Sequence, residues 1–510
     1  MSARQRATHT GPATESRLRD ALANRPSIVV GLTMLLYFVL GLVRSFVPHA
    51  VGLADDGAGG PVACHLGVEP DGDGPRYTSF AIFRWAATDD DGCGDATGPH
   101  LITLTLARWA STALGAGTLD LRVLLVVYCL LAAILATLVG RLAAGRRYAG
   151  SIAGVLTWIV LMDTAFVGYA ASLYPHGVAI GGLVICTAGL LLLDGDGWRS
   201  WAGPAAVVVG GSALVGSSTV AALAVVPVLA LLAWRAWDAR RAVVAAGGTS
   251  GGETSRTSGR HIGWIVPTAS ALLLLIPATM ALASVSGSQR KLDTWDFVSM
   301  RVLADTPAPG PALESMGIPA DTARFVGTPV WSPSSVRGWS QWPELEPDGS
   351  AVAGYVATRP ALVFDLFDGV VRAEAEALPE RLGSYDVSSG AEPGAQDSTV
   401  SMFSRLQGSF LSFGVVAGVV LWALLGWVAL AVVRAPQHGA RSRNLASTSV
   451  VLLGVAATQV AGTALTESSE LARQVVAGNL AGGLALCLLI AAGLVSQAGS
   501  QADRVVRTGS

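Results

Sequence analysis

Charge is scarce in this chain. Only 14% of its 510 residues are Asp, Glu, Lys or Arg, against about 25% in an ordinary soluble protein. Hydrophobic residues make up 51%, and the mean hydropathy is +0.51. A formal net charge of -2 provides no excess of positive charge, which argues against a nucleic-acid binder. Also missing are a Walker loop, a dinucleotide glycine motif, a paired-His zinc motif and a Gly-x-Ser-x-Gly elbow. No haem or iron–sulfur pattern is present. These absences weigh against a cytosolic nucleotide-driven enzyme. His49 and His65 have no partners at metal-ligand spacing and read as surface histidines.

What the chain does have is a series of long apolar runs. Each approaches the ~20 residues needed to cross a ~30 Å hydrocarbon core, where only closed backbone hydrogen bonding is tolerated. The expected fold is therefore an all-α polytopic membrane protein of about ten spans with a small outer-face loop domain. The spans are read at Pro26–Val47, Leu119–Gly140, Ala149–Val167, His176–Leu193, Ala202–Gly216, Ser218–Trp234, Ile262–Val285, Phe410–Val433, Leu445–Leu465 and Val475–Val495. The corresponding organisation is a tail (1–25), an N-terminal transmembrane core (26–285) with a first outer loop (48–118), a large outer loop or cap (286–407), C-terminal helices (408–495) and a second tail (496–510).

Orientation follows from arginine placement. Arg17, Arg19 and Arg25 precede the first span, Arg141, Arg146 and Arg147 follow the second, and Arg240, Arg241, Arg434, Arg441 and Arg443 fall on the same side. That side reads as cytoplasm, with both termini inside the cell membrane and the first span a retained anchor. Stretch His100 to Leu114 is amphipathic and is expected to lie on the membrane surface. Of five cysteines, Cys129, Cys186 and Cys487 fall in spans, whereas Cys64 and Cys93 share the first outer segment. A bridge between those two would contribute about 3–4 kcal/mol in the loop-entropy treatment; two free thiols are the alternative.

The most informative polar stretch is Gly52-Leu53-Ala54-Asp55-Asp56-Gly57, at the outer mouth of the first span. A carboxylate there can take the proton of a sugar hydroxyl attacking an anomeric carbon, while its neighbour orients that hydroxyl or holds a divalent cation. Asp-Asp-Gly is also common turn chemistry, and the residues alone leave both readings open. Asp163 lies within the third span, where a charge usually faces a cavity or a partner. Tyr169, Tyr174 and His176 follow at the outer rim, where tyrosine is equally an interface anchor. Glu467, Glu470 and Arg473 sit at the mouth of the last hairpin. Arg473 could fork onto a phosphate or pair with Glu470 three residues away. Arg76 is a second phosphate candidate. Trp339 and Trp342 in the large loop could contact an acceptor sugar, although tryptophan there also packs cores.

An acidic motif at the outer mouth of the first span resembles the GT-C class of membrane glycosyltransferases. Leu53 to Gly57 is similar to the Ala-Asp-Asn-Gly-Asp motif of a bacterial family of surface-layer glycan hexose transferases (WsfD-like). DTAFVGYAASLYPH (Asp163 to His176), Met300 to Thr328 and ESSELARQVVAGN (Glu467 to Asn479) resemble further segments of that family in the same order. Departures stand at Ala58, where the family has an acid, and at His176 and Gln474. The resemblance implies a polyprenyl-phosphate sugar as donor and an envelope glycan or lipid-linked acceptor. It also implies Asp55 or Asp56 as catalytic base and Arg473 at the donor phosphate. Two alternatives remain: a secondary transporter coupled through Asp163, and an inactive descendant that scaffolds envelope assembly.

Overall fold

The computed structural model describes residues 26–54, 59–71, 79–88, 98–144, 148–193, 198–247, 257–285, 287–328, 348–376, 378–379, 381–435, 437–467 and 470–508. The protein is a polytopic α-helical membrane protein. Among the described residues eight helices are long and apolar enough to cross a bilayer: α1 (Pro26–Phe46), α4 (Arg122–Leu142), α7 (Pro175–Leu192), the run formed by α9 (Thr219–Ala222) and α10 (Val225–Gly247), α11 (Thr257–Ala283), α17 (Val415–Arg434), α18 (Ala440–Thr466) and α20 (Val476–Thr508). Helices α5 (Ala149–Leu161) and α6 (Thr164–Ala170) together qualify as a ninth span, bent by 59° at their junction. The stretch read from sequence as the fifth span is α8 (Arg199–Val215), 17 residues with Pro204 inside it. At ~1.5 Å per residue it is about 25 Å long.

Small residues set how these helices meet. A Cβ on Gly182 would stand 2.7 Å from the Gly210 carbonyl oxygen, and one on Gly189 would stand 2.8 Å from that of Gly203. The pairs run in opposite order along the two helices, so α7 and α8 form an antiparallel pair in near backbone contact. Lipid offers no hydrophobic drive between helices, and such small-residue seams supply the packing instead. Between α18 and α20 the seam is bridged by hydroxyls: Ser449 Oγ donates to the Ala485 carbonyl at 3.2 Å and Ser442 Oγ to that of Ala492 at 3.0 Å.

One end of the bundle carries the polar segments. Strand β1 (Val51–Leu53) pairs antiparallel with β5 (Leu382–Tyr385), and β2 (Val68–Pro70), β3 (Arg84–Ala87) and β4 (Leu119–Asp120) form a small antiparallel sheet in that order. The β1–β5 pairing joins the polar segment that follows α1 to the one that follows α11. The short helix α2 (Gly60–His65) and the helix α3 (Pro99–Ala113) belong to the first of them. Helix α3 buries Leu104, Ala107 and Ser111 and exposes Ile102, Leu106 and Trp109. That apolar outer stripe is the face an interfacial helix would present to lipid.

The second of these polar segments contains α12 (Gly287–Phe297), α13 (Pro309–Ser315), α14 (Gly349–Ala357), α15 (Pro360–Ala375) and α16 (Met402–Leu411). Trp295, Val298, Leu303, Leu313, Met316 and Val352 close an apolar cluster of their own there. Helix α19 (Leu471–Gln474) completes this end between α18 and α20. The opposite end carries Arg141, Arg240, Arg241, Arg434, Arg441 and Arg443.

Candidate functional site

The break between α5 and α6 begins with Asp163. Its backbone is extended, and its side chain caps α6 by accepting from Ala165 N at 3.1 Å. The second carboxylate oxygen accepts from Ser404 N of α16, also at 3.1 Å. Asp163 is fully buried. Backbone donors satisfy both of its oxygens, so it orders the bend.

Helix α6 runs from this cap to Tyr169, and the chain then reverses into α7, where Pro175 fits the first turn because its missing N–H is not needed there. The reversal is tight: a Cβ on Gly177 would lie 2.4 Å from the Tyr169 carbonyl oxygen. It brings the Tyr169 and His176 rings together, tilted by 47° with centroids 6.0 Å apart. From the far end of the chain, α19 delivers two side chains to the same place. Arg473 lies with Cζ 4.7 Å from the Tyr174 ring centre. Gln474 Oε1 lies 3.5 Å from His176 Nε2. Arg473 also pairs with Glu470, as the local reading of that spacing expected. Glu470 starts α19 at φ +50°, a left-handed conformation unusual for a non-glycine residue. His176 Nδ1 is buried and has no hydrogen-bond partner among the described residues.

Glu467, the other acid of this mouth, lines an apolar cavity of about 760 Å³ with Leu282, Val285, Val352, Val356 and Leu465. Burial and the nearby Asp293 push its carboxyl up to about 7. Behind α19, Gln407 Nε2 donates to Glu374 at 3.2 Å and to Asn479 at 3.0 Å. Burial pushes the Glu374 carboxyl up to about 8.

A second polar centre was not read from the sequence. Arg44, near the C-terminal end of α1, reaches Asp397 Oδ2 at 2.5 Å and Thr164 Oγ1 at 2.6 Å, all three residues being buried. Burial by itself raises the Asp397 pKa, but the Thr399 hydroxyl and Arg44 outweigh it and hold that carboxyl below its ordinary value. An arginine inside the last turns of an apolar span is the signal that could have found Arg44. Asp397 carries no such signal.

This centre lies beside the strand that leads to the expected catalytic acids. Ala54 N donates to the Arg381 carbonyl at 3.0 Å, and a Cβ on Gly168 of α6 would stand 3.1 Å from the Gly52 carbonyl oxygen. Arg381 itself has φ +148°. Asp55 and Asp56, which follow Ala54 directly, lie outside the described residues, as do Arg76, Trp339, Trp342 and Cys93. Cys64 is disulfide-bonded, and Cys129, Cys186 and Cys487 are free and buried. Among the described residues no set of three or more His, Cys, Asp or Glu side chains is placed to hold a metal ion.

Residues 14–501 match the family described as the YfdI N-terminal transmembrane domain. No curated protein matches the chain. Among solved structures it is similar to the archaeal oligosaccharyltransferase AglB from Archaeoglobus fulgidus, solved with an inhibitory peptide and a dolichol-phosphate. The identity is 14% and the TM-score 0.37, over 91% of this chain and 50% of that one.

Proposed function

The chain belongs to the YfdI N-terminal transmembrane domain family, and from that premise we propose that it is a GT-C-like glycosyltransferase of the cell membrane, close in kind to the surface-layer hexose transferases. It transfers a hexose from a polyprenyl-phosphate donor to an envelope glycan or lipid-linked acceptor, with its basic end in the cytoplasm. One observation carries the reading: Tyr169, Tyr174 and His176 meet Arg473 and Gln474, from a segment about 300 positions away, at the polar end of the bundle. Gly168, one residue before Tyr169, abuts the strand that leads into Asp55 and Asp56.

In the proposed step the acceptor hydroxyl oxygen attacks the anomeric carbon of the donor. Asp55 or Asp56 takes the hydroxyl proton. The bond from the anomeric carbon to the phosphate oxygen breaks, and its electron pair leaves with the polyprenyl phosphate. Arg473, fixed over Tyr174, stabilises the charge that grows on that phosphate. The result is a single displacement with inversion and no sugar bound covalently to the protein. The apolar cavity beside Glu467 suits the isoprenoid tail, and its volume of about 760 Å³ falls within the ~300–1,000 Å³ common for ligand sites.

The direct test is envelope glycan composition in cells with and without the protein. A sugar lost on deletion and restored by the wild-type chain supports the proposal. An unchanged glycan, with the protein's absence verified, counts against it.

A further inference from the structure

We propose that the basic end of the bundle holds an anionic phospholipid of the adjoining leaflet, in a groove walled by α10 and α17 and floored by α18. This site lies at the opposite end from the one assigned to glycosyl transfer and does not depend on that assignment.

The groove encloses about 590 Å³. Helices α10 and α17 each pack against α18, and the space opens between them. Its lining is ordered by depth. Pro227, Leu231, Val450 and Gly454 form the inner part, and Trp234, Arg434 and Ser447 the mouth. The inner end is closed where Gly454 meets Pro227: a Cβ on Gly454 would stand 2.6 Å from the Pro227 Cβ. From Ser447 to Gly454 is about 10 Å at ~1.5 Å per residue, so the apolar part runs well into one leaflet. A phospholipid has this same order of polarity, with its headgroup at the interface and its acyl chain inward.

The mouth selects the sign of the headgroup. Arg434 ends α17 at the groove. Arg235 donates to Asn444 Oδ1 at 3.2 Å and to Ser447 Oγ at 3.3 Å, which sets its guanidinium beside the Ser447 that lines the mouth. Arg441 and Arg443 stand exposed on the next helix start. Asp238, which interacts with Arg235, is the opposing acid. Trp234 is 42% exposed within the groove, at the depth where indole rings anchor in headgroups. Clustered cations at the end of an apolar interhelical groove fit a lipid phosphate. A soluble anion would leave the apolar part unfilled, and a zwitterionic lipid would gain less from the arginines.

The test uses the full chain purified in a neutral detergent and titrated with phosphatidylglycerol, phosphatidylcholine or a polyprenyl phosphate. Binding is read by native mass spectrometry and by thermal shift. Phosphatidylglycerol should bind saturably and raise the melting temperature, with little effect from phosphatidylcholine. Arg434→Gln changes an exposed residue, and it should weaken phosphatidylglycerol binding about fivefold, the effect of one interfacial cation. Ala230→Trp fills the groove from its exposed wall and should prevent binding without lowering the lipid-free melting temperature. Equal binding of phosphatidylcholine, or unchanged phosphatidylglycerol affinity in both variants, overturns the proposal. So does preferential occupancy by the polyprenyl phosphate, which would make the groove a carrier-lipid site.

Discussion

Arg473 lies over the Tyr174 ring, its guanidinium carbon 4.7 Å from the ring centre, while its Nη2 pairs with Glu470. An aromatic face on one side and a partly exposed carboxylate on the other hold this cation in position. The carboxylate is the more displaceable partner, since the Glu470 side chain is 42% exposed.

Arg473→Gln should therefore lower sugar transfer about 10²–10³-fold, the usual effect of removing one preorganised charge-stabilising donor. Arg473→Lys should recover part of the rate, because it keeps the charge but loses the fork. Transfer assays beside melting curves decide the matter. Full activity in Arg473→Gln would reduce the pair with Glu470 to a structural contact.

Glu374 gives the polar end of the bundle a pH signature. Its carboxyl is raised from 4.5 to about 8, so between those values the folded chain keeps a proton that the unfolded chain releases. Stability should fall as pH rises through that window, by up to about 1.4 kcal/mol per pH unit. The decline should stop once the folded-state value is passed. Melting temperatures between pH 5 and 9 should show the slope, and Glu374→Gln should remove most of it. Glu467, raised to about 7, leaves a smaller slope behind. A pH-independent wild-type melting curve contradicts the buried, protonated form.

The Arg44–Asp397 pair links α1 to the segment entering α16. Asp397→Ala strands a buried cation and should cost about 3–5 kcal/mol. Replacing both partners with apolar residues, Arg44→Met with Asp397→Leu, should cost clearly less than either single change. A double-variant loss equal to the sum of the two single losses would mean that the two charges do not stabilise each other.

The spans were legible because lipid imposes one rule on every stretch that crosses it. The bend at Asp163 was not, because an apolar run does not reveal where a cap interrupts it. The strands β1 to β5 are two to four residues long, too short for an alternating pattern to register. Arg473 and His176 were each legible as polar residues at a span mouth. Their meeting depends on the seam between α18 and α20 and on the turn before α7, which no local pattern encodes. The contact between Arg44 and Asp397 joins positions 353 apart and becomes visible only once the polar segments are folded.

Cys64 is disulfide-bonded, and the expected partner is Cys93. Reduction, or Cys64→Ser, should lower the stability of the first outer segment by about 3–4 kcal/mol. Limited proteolysis of that segment should speed up correspondingly. Rapid modification of Cys64 by a thiol reagent in the untreated protein would exclude the bridge.

The central claim concerns the two acids beyond Ala54. Wild-type protein and the Asp55→Asn, Asp56→Asn double variant should be reconstituted in liposomes carrying a labelled polyprenyl-phosphate hexose, with envelope glycan as acceptor. The wild type should move label to the acceptor, and the double variant should move none while expressing and melting like the wild type. Label transferred at an undiminished rate by the double variant contradicts the proposed catalysis.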